Sequence, residues 1–426
     1  MFMIVMTKRI WILLAVTAIT TIAPAQPQPG KDNSDPKEMA QKVKAAKKQA
    51  KKALSTAEDD IKKSKNLDKH EKTLTALLKD SVNKGNTAIY TTINEAQLKQ
   101  YAALNQKLYL KQKADTASLF SLSKRMFENL GTLDSIESVP DEKGRVNPKH
   151  RKQSMHQLKT HRPNLFTAGI WYLRQKKYKE ADSFLGEYIE SAQMPMMQEF
   201  NYNERDSLLP KAAYWTAYCG YKANEPDITL RYDSIAYRDT ATNDYLRQYI
   251  AHAYQQKSDT ANAVRVLRDG FDHNPTFPFF YPRLIQYYTS QGNLDEAMRI
   301  TSKALEKDSL NEQFLYTKGA LLLALGNNKQ SLIVNQYLMN INDSVPEAYY
   351  NAATALLNIN SDLHKRKKSN KTRQWLRSNY QKAKEYLERY RKLAPDEKKK
   401  WAPALYRVYL NLNMGKELSE VEKYLK

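Results

Sequence analysis

Three small residues, Ala263, Ala297 and Ser331, stand 34 residues apart, each in the same local setting. Ala251-His252-Ala253-Tyr254 precedes the first. Ile285-Gln286-Tyr287-Tyr288 and then Gly292 precede the second, and Gly319-Ala320-Leu321-Leu322 with the turn Gly326-Asn327-Asn328 precedes the third. A 34-residue period made of two amphipathic helices gives hairpins that cannot each bury an apolar face alone, so neighbours must stack. The chain is therefore expected to be all-α, an α-solenoid. Such a fold makes a surface for holding other molecules and seldom performs chemistry.

Composition agrees. In 426 residues, Gly (12) and Pro (16) are scarce, which disfavours turn-rich β folds and suits long helices. The 28 Tyr residues recur inside helical patterns, where a half-polar ring suits the edge between stacked helices. A mean hydropathy of −0.72 beside 41% hydrophobic residues fits a fold with much surface and little deep core. Cys219 is the only cysteine, so neither an intrachain disulfide nor a cysteine-based zinc site can form, and it reads as a small core residue.

The N-terminus reads as an export signal over residues 1–25. Lys8 and Arg9 precede the apolar stretch Ile10 to Ile22, and Ala23-Pro24-Ala25 predicts cleavage before Gln26. No Cys lies near that junction for lipidation, and no later segment is long and apolar enough to span a bilayer, so an exported, periplasmic chain is expected. Residues 26–69 then form a polar linker and a Lys/Ala-rich helix with a thin stripe of Met39, Val43, Ala46, Ala50, Leu54 and Ile61.

Residues 70–138 carry apolar residues three and four apart, with Asp115 as a cap, and read as degenerate hairpins opening the solenoid. Residues 139–163, broken by Pro140, Gly144, Pro148 and Pro163, read as a basic connection, helical at most around Gln153 to Lys159. Five repeats are expected over 164–346. A sixth follows over 347–400, delayed by a basic insertion near 360–378 that includes Lys365-Arg366-Lys367-Lys368, as either a loop or a helical extension. A capping helix pair closes the array over 401–426.

Leu165, Gly169, Tyr172, Ala181 and Leu185, with Gly292-Asn293-Leu294-Asp295-Glu296-Ala297 and Pro275, resemble the tetratricopeptide-repeat pattern. Ser331 replaces the usual small Ala, and Thr301 stands where a large apolar residue is usual. The resemblance implies that the first helix of each hairpin lines a concave groove for a peptide or protein. Carried across residue by residue, that groove would present Phe166, Ile170 and Arg174; Trp215 and Lys222; Tyr245, Gln248 and His252; Phe279 and Gln286; and Tyr316. The Lys, Arg and Asn set with which some family members hold a terminal carboxylate is not in register here.

No catalytic constellation appears. His150, His156 and His161 offer no pair at i, i+4 and read as solvated loop residues. HExxH, Gly-rich phosphate loops, GxSxG and a Cys–His pair are missing. No cofactor, no metal and no enzyme activity are expected. The formal net charge of +22 favours an acidic partner. The leading expectation is an exported scaffold in envelope assembly or secretion. The alternative is an electrostatic binder of an anionic polymer or membrane surface, through the Lys-rich arm and the basic insertion. A glycan-handling lipoprotein is disfavoured by the missing Cys, and nucleic acid by export.

Overall fold

The structure, a computed structural model, describes residues 36–365 and 369–425. The expected signal peptide, the linker to Asp35, and Arg366, Lys367 and Lys368 lie outside the described residues. The chain divides into two compact units between Ala103 and Leu104.

The first unit contains α1 (Pro36–Lys62), α2 (Leu67–Leu77) and most of α3 (Thr87–Tyr109). Ala50, Ala57 and Ile61 of α1 are buried with Leu74 of α2 and Ile89, Ile93 and Ala96 of α3. The apolar stripe of α1 is thus buried only from Ala50 onward, and Met39 is half exposed. Lys99 Nζ donates to the Ile61 carbonyl at 2.6 Å, placing a cation at the negative end of α1. Buried Glu71 accepts from Gln97 and Gln100 Nε2 at 2.9 and 2.7 Å.

The second unit opens with the end of α3 and with α4 (Thr116–Glu137), capped as expected by Asp115, which accepts from the Ala117 and Ser118 amides. The unit boundary falls inside α3, so the segment 70–138, read from sequence as one group of hairpins, divides between the units. Next come α5 (Arg151–Arg174) and α6 (Tyr178–Ser191), a 3-10 turn at Pro195–Phe200 and α7 (Tyr202–Arg205). The following hairpin has a whole first helix, α8 (Leu209–Ala223), and a broken second, α9 (Pro226–Leu230) and α10 (Asp233–Ala236). Regular pairs then follow: α11 (Asn243–Gln256) and α12 (Thr260–His273), α13 (Phe280–Ser290) and α14 (Leu294–Lys307), α15 (Glu312–Ala324) and α16 (Asn328–Ile341). The unit closes with α17 (Pro346–His364) and α18 (Asn370–Leu393), then α19 (Lys398–Leu412) and α20 (Gly415–Glu422).

From α11 onward every helix packs on its successor in the chain, and α15 also meets α17, as an α-solenoid requires. The period is written in the backbone. Asn224, Ser258, Gly292 and Gly326, spaced by 34, all have left-handed φ values of 61°, 57°, 69° and 75°. Each reverses the chain between the helices of a hairpin. Ala263, Ala297 and Ser331 lie buried on the second helices. A Cβ on Gly169 would collide with Leu185, so the glycine is what lets α5 and α6 approach.

Both departures from the pattern are bonded. The Ser331 hydroxyl donates to the Gly319 carbonyl at 2.8 Å. The buried Thr301 hydroxyl donates to the Ala297 carbonyl at 2.8 Å and lies 3.1 Å from the Tyr281 hydroxyl. Polar side chains are tolerated in these cores because neither leaves its polar group unpaired.

The basic connection is shorter than expected. Helix α5 begins at Arg151 and runs through Pro163, whose exposed ring costs the helix one hydrogen bond without breaking it. Two contacts to α4 anchor its start: His150 Nδ1 lies 2.6 Å from Glu137, and Arg151 donates to Asp134 at 2.7 Å. His161 is buried rather than solvated, because α5 packs on α6 over that face. The insertion in the sixth hairpin is a helical extension: α17 has 19 residues and α18 has 24, against 13 and 14 for α15 and α16.

Candidate interaction surface

The first helices of successive hairpins share a register, and residues 34 apart hold equivalent places on them. On α8, Trp215 is half-buried, with its ring 5.1 Å from Tyr214 and 5.6 Å from Tyr218. Lys222 is exposed, its ammonium 5.5 Å from the rings of both Tyr218 and Tyr221. On α11, Tyr245 is 52% exposed and edge-on to Phe277 at 5.3 Å. Gln248 and His252 are half-buried, and the His252 ring stands 5.1 Å from Tyr221, so α8 and α11 meet through these side chains. Gln286 on α13 is exposed, and so is Tyr316 on α15.

Three expected groove residues lie apart from this set on α5. Phe166 is half-buried 5.5 Å from the Tyr188 ring, Ile170 is half-buried and Arg174 is exposed. Phe279 is a correction: its ring is buried rather than presented. The half-buried Arg283 guanidinium covers it at 3.6 Å. Sequence reasoning missed Arg283, because the place one period earlier on its register, Tyr249, is buried. Arg283 stands two periods after Trp215, through Tyr249. Tyr218 and Tyr221 were also missed; they join Lys222 and His252 into one ring-and-cation cluster.

The cluster is anchored from beneath. Tyr249 is buried, stacked on Tyr221 at 4.6 Å, and its hydroxyl lies 3.4 Å from that of Tyr214. Burial pushes the Tyr249 phenol well above its ordinary pKa, and the Tyr214 hydroxyl adds to the rise. It therefore stays a neutral packing group. The outer rings are held at fixed spacing by inner ones, which lowers the entropy lost when a ligand settles on them.

Repeats of 34 residues, small residues facing across each hairpin, and a left-handed turn between the two helices together define the architecture. The second unit is an α-solenoid of tetratricopeptide-like helix hairpins. No family model matches the chain, and no curated protein matches it in sequence. Among solved structures, the chain is similar to the C-terminal part of a TPR repeat-containing protein from Cytophaga hutchinsonii. That match has 15% identity, covers 61% of this chain and 93% of that one, and has a TM-score of 0.41. It is also similar to MamA from Desulfovibrio magneticus, with 18% identity, 43% and 93% coverage and a TM-score of 0.35. A third likeness is to the TPR domain of P58(IPK), with 12% identity, 88% and 99% coverage and a TM-score of 0.27.

Among the described residues no group of three His, Cys, Asp or Glu side chains gathers as a metal site would need. The Cys219 thiol is buried, and burial pushes its pKa up to about 12, so it is held as the unreactive thiol. No helix among the described residues is long and apolar enough to cross a membrane.

Proposed function

We propose that the chain is a non-enzymatic, exported protein-interaction scaffold of the periplasm. Its tetratricopeptide array holds a peptide or protein along the first helices of its hairpins, in envelope assembly or secretion. The observation that carries this reading is the row of accessible rings and polar groups repeated from α8 to α15: Trp215 with Lys222, Tyr245 with His252, Arg283 with Gln286, then Tyr316. Aromatic anchors with Arg and amide neighbours are the side chains that dominate protein recognition. Export is supported by the Lys8-Arg9 n-region, the apolar stretch and Ala23-Pro24-Ala25, and sequencing the mature N-terminus at Gln26 tests it.

Photo-crosslinking in intact cells tests the surface. Probes at Tyr245 and Gln286 should capture the same discrete partner, and a probe at exposed Arg265 on the second helix α12 should not. Equal capture at Arg265 would overturn the reading.

A second reading is favoured by one observation. Helix α1 presents Lys44, Lys47, Lys48, Lys51 and Lys52 to solvent without a carboxylate partner among the described residues. An anionic polymer or membrane surface would bind this arm. Such binding would collapse on raising salt and survive changes at Tyr245 and Gln286.

A further inference from the structure

The sixth hairpin outgrows its neighbour. The turn at Gly326–Asn328 ends the α15/α16 pair, while α17 and α18 continue past it. Between the shorter and the longer pair lies a cavity of about 630 Å³, lined by Asn327, Asn328 and Lys329 on one side and Ile359, Leu363 and Trp375 on the other. Trp375 is 51% exposed, an unusual waste of a large ring on a helix rich in Lys and Arg.

The inner wall is fixed. Buried Asn360 donates to the Leu376 carbonyl at 3.1 Å and accepts from Asn379 at 2.8 Å, and Asn358 donates to Asn328 at 3.0 Å. The two long helices and the adjoining turn are therefore bonded to one another, and the cavity between them is preformed.

Charge selects the occupant. Lys329 lines the cavity, and the Lys371 ammonium stands 5.2 Å from the Trp375 ring. Neither has a carboxylate partner among the described residues; the one acid in the wall, Asp362, is paired with Lys365 at 3.2 Å. Arg373 and Arg377 on the same helix add exposed positive charge. A hollow with one apolar wall, Ile359, Leu363 and Trp375, beside two lysines without carboxylate partners and edged by amide side chains able to bond a backbone, fits a polypeptide better than a lipid tail.

We propose that this cavity is a second docking site, separate from the row on α8 to α15, which takes an acidic polypeptide segment bearing a large apolar residue. The apolar side chain enters against Ile359, Leu363 and Trp375, and its flanking carboxylates meet Lys329 and Lys371.

The probes are two short fluorescein-labelled peptides of Asp and Glu, one with a central Leu and one with a central Ser, with phosphatidylglycerol vesicles as the rival ligand. Fluorescence anisotropy on the full chain should show the Leu peptide binding about tenfold more tightly than the Ser peptide. Trp375→Ala should abolish that difference, Lys329→Gln with Lys371→Gln should weaken both peptides, and Tyr245→Ala should change neither. Because Trp375 is exposed, the thermal midpoint should not move. Equal binding of the two peptides, or an unchanged preference in Trp375→Ala, overturns the proposal. Vesicle binding lost in Trp375→Ala while both peptides fail to bind overturns it in favour of a membrane surface.

Discussion

Ser331 on α16 donates its hydroxyl proton to the carbonyl of Gly319 on α15, 2.8 Å away. Its oxygen also accepts from Asn335 Nδ2 at 3.1 Å. The residue that looked like a lapse in the repeat therefore ties its hairpin together. Ser331→Ala keeps the small volume and removes the bonds, and should lower stability by about 1 kcal/mol in urea unfolding. A large residue at Ala297, the equivalent place one period earlier, should overpack the crossing. Ala297→Leu is expected to lose about 1–3 kcal/mol. Wild-type stability in Ala297→Leu would mean that the two helices do not meet there.

Left-handed turns give a second, opposite pair of expectations. Ser258 and Gly292 hold equivalent backbone with φ near 57° and 69°, yet only one is glycine. A side chain in that region costs on the order of 1 kcal/mol. Ser258→Gly should therefore gain part of that energy, less the entropy that glycine adds to the unfolded chain. Gly292→Ala should lose about 1 kcal/mol, and because a Cβ there would meet nothing within 4 Å, the loss would be purely conformational. Thermal midpoints moving in opposite directions would confirm the shared geometry.

The repeat was legible in the sequence because small residues and turns recur at a fixed interval, and stacking forces that interval on every regular hairpin. The Asp115 cap and the buried Cys219 followed from local chemistry alone. Legibility failed where a long-range pair overrode composition. The run of Pro and basic residues up to Pro163 reads as a loop, but Asp134 on α4 pairs with Arg151, Asp206 beyond α7 pairs with Arg162, and Glu137 bonds His150, and these contacts hold α5 from Arg151 onward. Phe279 was misplaced for a similar reason: Arg283, one turn further along, folds over the ring and covers it.

Arg162 shows how strong one such pair is. It is almost fully buried, lies between the Tyr188 and Tyr202 rings at 3.8 and 4.0 Å, and donates to Asp206 at 2.6 Å. Burial alone would raise the Asp206 pKa, but bonds from the Tyr188 hydroxyl and Arg162 outweigh it and hold the carboxyl below its ordinary value of 3.8. A depressed folded pKa gives stability that is present above the unfolded value and lost as pH falls through the folded one. Asp206→Asn leaves a buried guanidinium without its counter-charge and should lose about 3–5 kcal/mol at neutral pH. The variant should also lose less than the wild type on acidification below the ordinary carboxylate range.

Glu187 on α6 predicts the opposite slope. Burial raises its pKa to about 7; nearby Lys124 opposes the rise, and Glu128 and Glu190 add to it. The group lines a cavity with Phe127, Met194 and Met196, where a charge is poorly solvated. In the unfolded chain the carboxyl titrates near 4.5. Between those two values the folded chain binds more protons than the unfolded one, so stability falls as pH rises through the window and levels off above it. Glu187→Gln keeps the shape and removes the charge. It should flatten this slope and leave the variant more stable than wild type above the window, in urea unfolding measured at a series of pH values. An unchanged slope in Glu187→Gln would assign the pH dependence to another group.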